Sequence, residues 1–319
     1  MFRSLFIMLS KVSWAQKLIM SMPFARKMAQ RFVAGDTIDD AINAIKMLNQ
    51  KGILATLDHL GENTTTPAEA KTATQAIIGM IDAVDRNHVR SNVSIKLSQI
   101  GFALSDDICL ENLKAILTHA KAKKIFIRID MEDSSTVEKT ITFYTTMRKD
   151  GFNNTGLVIQ AYLYRSEQDV KTLLQSATKF RLCKGAYKEP ALVAFPQKSD
   201  VDNNYDKLTT LMMDAALALG SPPGSEDGLT PPLPAIATHD VKRIEFARAY
   251  AEKIGLPRNA YEFQMLHGIR RDIQDELAQS GYHVRIYVPF GTQWYPYFMR
   301  RLAERPANVW FLMTNMLRK

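Results

Sequence analysis

A chain of 319 residues, 46% hydrophobic and 23% charged, can bury a sizeable core as one large domain or two ordinary ones. Two cysteines, Cys109 and Cys183, exclude a disulfide framework and offer no metal-ligand spacing, so a cytoplasmic setting and no metal are expected. The net charge of +8 is concentrated at one end: Arg3, Lys11, Lys17, Arg26, Lys27 and Arg31 all precede the first acid, Asp36, which leaves a near-neutral body without the basic footprint of a nucleic-acid binder.

The first stretch, MFRSLFIMLSKVSWAQKLIMSMPFARKMAQRF, is apolar but interrupted. Arg3, Lys11 and Lys17 keep every uninterrupted run below the roughly 18 residues of a membrane-crossing helix. The run LFIML is short for a signal-peptide core, and no clear small-residue cleavage site follows it. Phe2, Leu5, Phe6, Trp14, Leu18 and Ile19 give it a basic amphipathic pattern. We expect a helical segment over 1–50 packed on the body, with peripheral contact to the inner face of an anionic membrane as its second role.

Beyond Asp36, short aliphatic or β-branched runs alternate with longer runs of helical period. The expected strands are ILATLDHL (53–60), VSIKLSQI (93–100), KIFIRIDM (124–131), GLVIQAYL (156–163), FRLCKGAY (180–187), PAIATHD (234–240), YEFQMLHG (261–268) and HVRIYVPF (283–290). Strands separated by helices form parallel sheets, and eight of them over 51–319 indicate a closed (β/α)8 TIM-type barrel. An open dinucleotide-binding sheet lacks support, because no GxGxxG turn follows the first strand. The Pro/Gly-rich segment GSPPGSEDGLTPPLP, 220–234, reads as an exposed surface loop.

Barrel chemistry sits at the C-terminal ends of strands. Polar residues recur there: Asp58, His59, Lys96, Asp130, Gln160, Lys184, His239, Asp240, Gln264, His267 and Tyr287. Lys96 among apolar neighbours needs a buried partner, and Asp130 on the adjacent strand is the expected one. Arg181 and Lys184 face opposite ways unless the strand ends near Cys183. After the last strand, Tyr297, Arg300, Arg301 and Glu304 fall at i, i+3, i+4 and i+7 and so share a helical face, which suits an anion clamp as well as an exposed ion pair.

The strings RFVAGDT, TLDHLGE, SIKLSQIG, IRIDMED, RLCKGAYKEP, ATHD, EFQMLHGIRRD and RIYVPFGTQWYPYFMRRLAERPAN occur in order from about residue 31 to 316. Together they resemble the FAD-dependent proline dehydrogenases, and the chain has no length for the aldehyde dehydrogenase module of bifunctional relatives, so it resembles the monofunctional kind. The resemblance implies oxidation of L-proline to Δ1-pyrroline-5-carboxylate, hydride transfer to FAD N5 and electron transfer to a membrane quinone.

It further implies that Lys96, Arg300 and Arg301 hold the proline carboxylate, that Tyr287, Tyr297 and Leu266 pack on its ring, and that Asp130 lies beside the pocket. Arg181 would stand near flavin N5. Met131, Gln160, Lys184, Gly185, Ala186, Thr238, His239 and Gln264 would contact FAD, while Glu304 would brace the arginines or the flavin. Two residues depart from the family pattern: Cys183 stands where valine is commoner, and Lys188 where bifunctional relatives have tryptophan. The rival reading is a Schiff-base aldolase using Lys96 or Lys184 as the amine.

Overall fold

The computed structural model describes Gln16, Ile19, Met20 and residues 23–304. Most of the amphipathic stretch, including Phe2 and Trp14, therefore lies outside the described residues, as does the chain after Glu304.

Two helices with described bounds precede the sheet: α1, Pro23–Ala29, and α2, Ile38–Asn49. Thr37 starts α2 with a capping box, in which its hydroxyl accepts from the Asp40 amide while the Asp40 carboxylate accepts from the Thr37 amide. The strands are β1 Leu54–His59, β2 Ser91–Ile95, β3 Ile127–Ile129, β4 Thr155–Gln160, β5 Phe180–Cys183, β6 Pro234–Ala237, β7 Glu262–Leu266 and β8 His283–Phe290. Each is parallel to the next, and β8 closes on β1 with Thr56 opposite Tyr287. Seven helices fill the crossovers: α3 Pro67–Arg86, α4 Asp106–Ala122, α5 Val137–Lys149, α6 Ser166–Leu174, α7 Lys198–Ala218, α8 Val241–Ile254 and α9 Arg271–Gln279. After β8, a further helix, α10, runs Tyr295–Glu304. The architecture is a (β/α)8 barrel.

The sheet's outward residues, such as Leu57, Val93, Ile129, Leu182 and Ile286, join the helices in the main apolar core. The inward ones are largely polar: Thr56, Asp58, Asn92, Ser94, Arg128, Arg181, Glu262, Gln264 and Arg285 are all buried. A second apolar cluster joins α1 to α10, with Ala25, Ala29, Phe32 and Val33 against Trp294, Phe298 and Leu302. Ile19 and Met20 pack on that cluster.

Several strands stop earlier than their patterns suggest. β2 ends at Ile95 because the Lys96 amide leaves the ladder for Gln99 Oε1, 3.0 Å away. Leu97–Ile100 then winds into a 3-10 turn that Gly101 ends at φ +101°. β5 ends at Cys183, so Lys184 belongs to the following loop. The 220–234 segment is not wholly an exposed insertion. Its outer turn is at the surface, but Gly228 and Pro231–Leu233 are buried at the bottom of the barrel. There the Pro231 carbonyl accepts from Lys179 Nζ at 2.7 Å and the Gly228 carbonyl from Arg285 Nη2 at 3.0 Å. Gly228 has φ +73°, and a Cβ there would lie 2.5 Å from Leu54, so glycine is required.

Candidate active site

Inward-facing residues from neighbouring strands converge at the C-terminal mouth of the barrel. Asp130, just after β3, accepts hydrogen bonds from Ser94 Oγ at 2.7 Å, Arg181 Nη1 at 2.7 Å and the Tyr287 hydroxyl at 2.8 Å. Burial alone would raise its carboxyl, but Arg181 and Lys96 hold it below the ordinary carboxylate range, so it is ionised. The Tyr287 phenol is pushed far the other way by burial and by Asp130 and Asp58, and it remains a donor.

Lys96 has the expected partner and a closer one. Its nearest partner is Asp58 on β1, at 3.0 and 3.3 Å, while Asp130 stands 3.7 Å away. The reach follows from the early end of β2, which leaves the Lys96 side chain above the strand ends. Burial opposes the ammonium, yet Asp58, Asp130 and Glu62 together hold its pKa above the ordinary lysine value. Asp58 is fully buried, and that burial outweighs Lys96 and lifts its carboxyl to about 6. An ammonium held by three carboxylates is a poor nucleophile, and Lys184 is tied to Asp202 and Asp240, which removes the support for a Schiff-base aldolase.

The adjacent arginines on α10 diverge. Arg300 reaches Glu62, in the loop after β1, with contacts of 2.6 and 3.3 Å. Glu62 is half-buried, and desolvation would raise its carboxyl, but Arg300 and then Lys96 bring it below the ordinary value. The guanidinium of Arg301, only 6% exposed, lies 4.9 Å from the Tyr297 ring centroid. Tyr297, and with it the partly buried Leu266 and Tyr287, borders the cluster between α1 and α10. The side chain of Glu304 lies outside the described residues.

On the β4–β6 side the arrangement changes from cations to open backbone. Gly185 has φ +119°, and a Cβ there would sit 2.4 Å from the Tyr162 ring. This cradle leaves the Lys184–Gly185–Ala186 backbone half-buried and approachable. Gln160 gives its Nε2 to the Glu132 carbonyl at 3.0 Å, whereas its Oε1 is buried without a partner. Arg181 likewise has a buried, unpartnered Nη2. Met131 packs with Val158 and Tyr162, Thr238 is buried, and His239 Nε2 accepts from the Leu266 amide at 2.9 Å. Both ends of the Gln264 amide are engaged, its oxygen by Arg181 Nε and its nitrogen by Glu262.

Asp58, Glu62, Ser94, Glu262 and Arg285 had no assigned role in the sequence reading. Asp58 and Glu62 were visible in TLDHLGE, but their partners are 38 and 238 residues away in the chain. Among the described residues, no cluster of histidine, cysteine and carboxylate side chains suits a metal ion.

This geometry defines a barrel enzyme with a buried network of paired charges at its C-terminal mouth. A family model described as proline dehydrogenase matches residues 41–314. Proline dehydrogenase 1 of Bacillus subtilis strain 168 is 41% identical over 91% of this chain and 91% of its own. Proline dehydrogenase of Deinococcus radiodurans is 39% identical over 91% of this chain and 90% of its own. A solved structure of proline utilization A (PutA) from Bdellovibrio bacteriovorus, inactivated by N-propargylglycine, aligns with a TM-score of 0.78 and 26% identity. The alignment covers 88% of this chain and 33% of that one, so this chain spans about a third of its length. The chain belongs to the proline dehydrogenase family and is an enzyme.

Proposed function

We propose that this protein oxidises L-proline to Δ1-pyrroline-5-carboxylate, the first step of proline catabolism, with FAD as cofactor and a membrane quinone as the final acceptor. The observation that carries the reading is the Asp130 hub, an ionised carboxylate fixed by Arg181 and Tyr287 beside Lys96 at the barrel mouth. Family membership supplies the reaction, and the residues fit the cofactor. A glycine cradle at 185 and two buried, unpartnered polar atoms, Gln160 Oε1 and Arg181 Nη2, suit a large polar ring system.

A bound FAD supplies the two-electron acceptor, taking hydride at N5. Met131, Gln160, the 184–186 backbone, Thr238 and His239 would hold it, with Arg181 offering its free N–H. Lys96, Arg300 and Arg301 bind the proline carboxylate, and Tyr287, Tyr297 and Leu266 wall its ring. Because Glu62 already engages Arg300, an incoming carboxylate competes with it for that guanidinium. Proline's nitrogen must lose a proton before hydride departs. Lys96 stays protonated and Asp130 is a weak base, so the pocket's cations promote that loss by disfavouring the substrate ammonium rather than by accepting its proton.

A quinone partner places the protein at the inner membrane face, with the basic residues of 1–35 as the contact. Among the described residues, no helix is long and apolar enough to cross a membrane. The test is a flavin absorbance spectrum of the purified protein before and after L-proline: a yellow protein that bleaches is expected. Colourless protein that borohydride traps on a keto substrate would refute the proposal. Liposome co-sedimentation with and without residues 1–30 tests the membrane contact, which fails if both forms bind equally.

A further inference from the structure

Arg181 is held from behind the pocket by a single chain of buried groups. Its Nε donates to Gln264 Oε1 at 2.6 Å, and Gln264 Nε2 donates to Glu262 Oε1 at 2.5 Å. The Glu262 carboxylate also accepts from Arg285 Nε at 2.9 and 3.1 Å. Arg285 is anchored in turn, with Nη1 on the Ala55 carbonyl at 2.8 Å and Nη2 on the Gly228 carbonyl at 3.0 Å. No member of this chain is more than 5% exposed. The chain thus runs from the barrel mouth to the loop that closes the barrel bottom.

An amide side chain can present either its oxygen or its nitrogen in almost the same volume. Gln264 lies between a group that only donates, the Arg181 Nε–H, and a group that only accepts, the Glu262 carboxylate. We propose that Glu262 is a positioning residue for the reaction: as an acceptor with no hydrogen to give, it fixes which way the Gln264 amide faces. That turns Gln264 Oε1 toward Arg181 and holds the guanidinium at the flavin. Arg285 keeps the system in this state. Burial would raise the Glu262 carboxyl, but Arg285 lowers it below the ordinary value, so the acceptor-only form persists. With a neutral amide at 262, Gln264 could turn over and oppose its own N–H to that of Arg181.

The proposal rests on the flavin reading for its catalytic consequence, but not for its geometry. The test is Glu262→Gln in the holoenzyme, with Glu262→Asp as the conservative control. Flavin content, flavin midpoint potential, and kcat and KM for proline are measured. The Arg181 Nε–H resonance, assigned by its loss in Arg181→Lys, is followed by nitrogen-15 NMR in flavin-free protein. In Glu262→Gln we expect flavin to be retained and KM to stay within about twofold, while kcat falls roughly tenfold or more. The reduction equilibrium should shift about tenfold toward oxidised flavin, which for a two-electron couple is about 30 mV. The Arg181 resonance should move or broaden, and Glu262→Asp should restore all of these.

Wild-type potential, kcat and resonance in folded Glu262→Gln would overturn the proposal. So would loss of flavin and stability with an unchanged potential in the flavin that remains, which is the signature of a merely structural residue. If Glu262→Gln does not fold, Gln264→Met breaks the same chain with the Glu262–Arg285 pair intact, and the same outcomes decide. A wild-type protein that binds no flavin refutes the cofactor reading alone, because the Arg181 resonance still tests the positioning.

Discussion

Replacing Lys96 with Met tests the buried network at its most exposed weakness, the fully buried Asp58 carboxylate. At the observed 3.0 Å separation, and with an effective dielectric near 20, the Lys96–Asp58 attraction is about 5 kcal/mol before desolvation is subtracted. Removing one member of such a pair leaves the other uncompensated, and about 3–5 kcal/mol of stability should be lost at pH 7.5. The double variant Lys96→Met/Asp58→Asn removes the stranded charge as well, so it should be more stable than Lys96→Met alone by about 2 kcal/mol. The pH dependence has a definite sign. Asp58 binds its proton more tightly in the folded state, about 6 against an unfolded 3.8, so its contribution to stability falls as pH rises through that window. Without Lys96 the carboxyl rises further, so the Lys96→Met penalty should shrink at pH 5 and grow toward pH 7.5. Chemical denaturation of the wild type, Lys96→Met, Asp58→Asn and the double variant at both pH values measures this directly. Additive single-variant effects with a pH-independent penalty would show that Lys96 and Asp58 are not coupled.

Gly185→Ala should abolish flavin retention while the fold persists, because a Cβ at φ +119° meets the Tyr162 ring; circular dichroism and flavin content per chain check it. Arg301→Met should raise KM for proline on the order of 10²-fold, the loss of one charge-assisted contact of about 2–3 kcal/mol, with flavin content unchanged. Parallel loss of both would make Arg301 a structural residue. Burial pushes the Cys183 thiol to about 11 and the Cys109 thiol to about 12, so the native protein should resist iodoacetamide at pH 8 and label at both sites only in urea. Mass spectrometry reads the result, and rapid native labelling of Cys183 would refute it.

The barrel was legible because its signal is local and repeated. Runs such as GLVIQAYL and HVRIYVPF announce themselves through β-branched residues. Strand ends were less legible, since the apolar pattern of VSIKLSQI continues through a 3-10 turn that only the Lys96–Gln99 bond reveals. Residue pairings were barely legible: the expected Lys96–Asp130 ion pair is present at 3.7 Å, but the shorter Lys96–Asp58 pair was not foreseen. Arg300 and Arg301 share a helical neighbourhood in sequence, yet one turns to Glu62 and the other to Tyr297, because β1 closes on β8 beneath them. The 220–234 segment misled for a related reason. Its composition describes a flexible loop, whereas its function in the fold lies in two backbone carbonyls, which composition does not report.

The inward face of this sheet explains how so polar an interior coexists with a stable fold. Lys96, Arg128, Arg181 and Arg285 outnumber Asp58, Asp130 and Glu262 within it, and Arg128 is held by the Leu157 and Lys179 carbonyls rather than by a carboxylate. Gly156, opposite Arg128 on β4, makes the room, since a Cβ there would meet both the guanidinium and the Lys179 carbonyl. Burial lowers the Arg128 pKa to about 9, a direct sign that this arrangement is costly. The apolar contacts that offset it lie outside the sheet, between the strands and the helices, and need none of the interior. That separation leaves the barrel lumen free to concentrate positive charge beneath its mouth. A field of that sign would favour a carboxylate ligand, oppose a substrate ammonium and stabilise a cofactor that gains negative charge on reduction, which are the three requirements of the proposed oxidation of proline by a flavin.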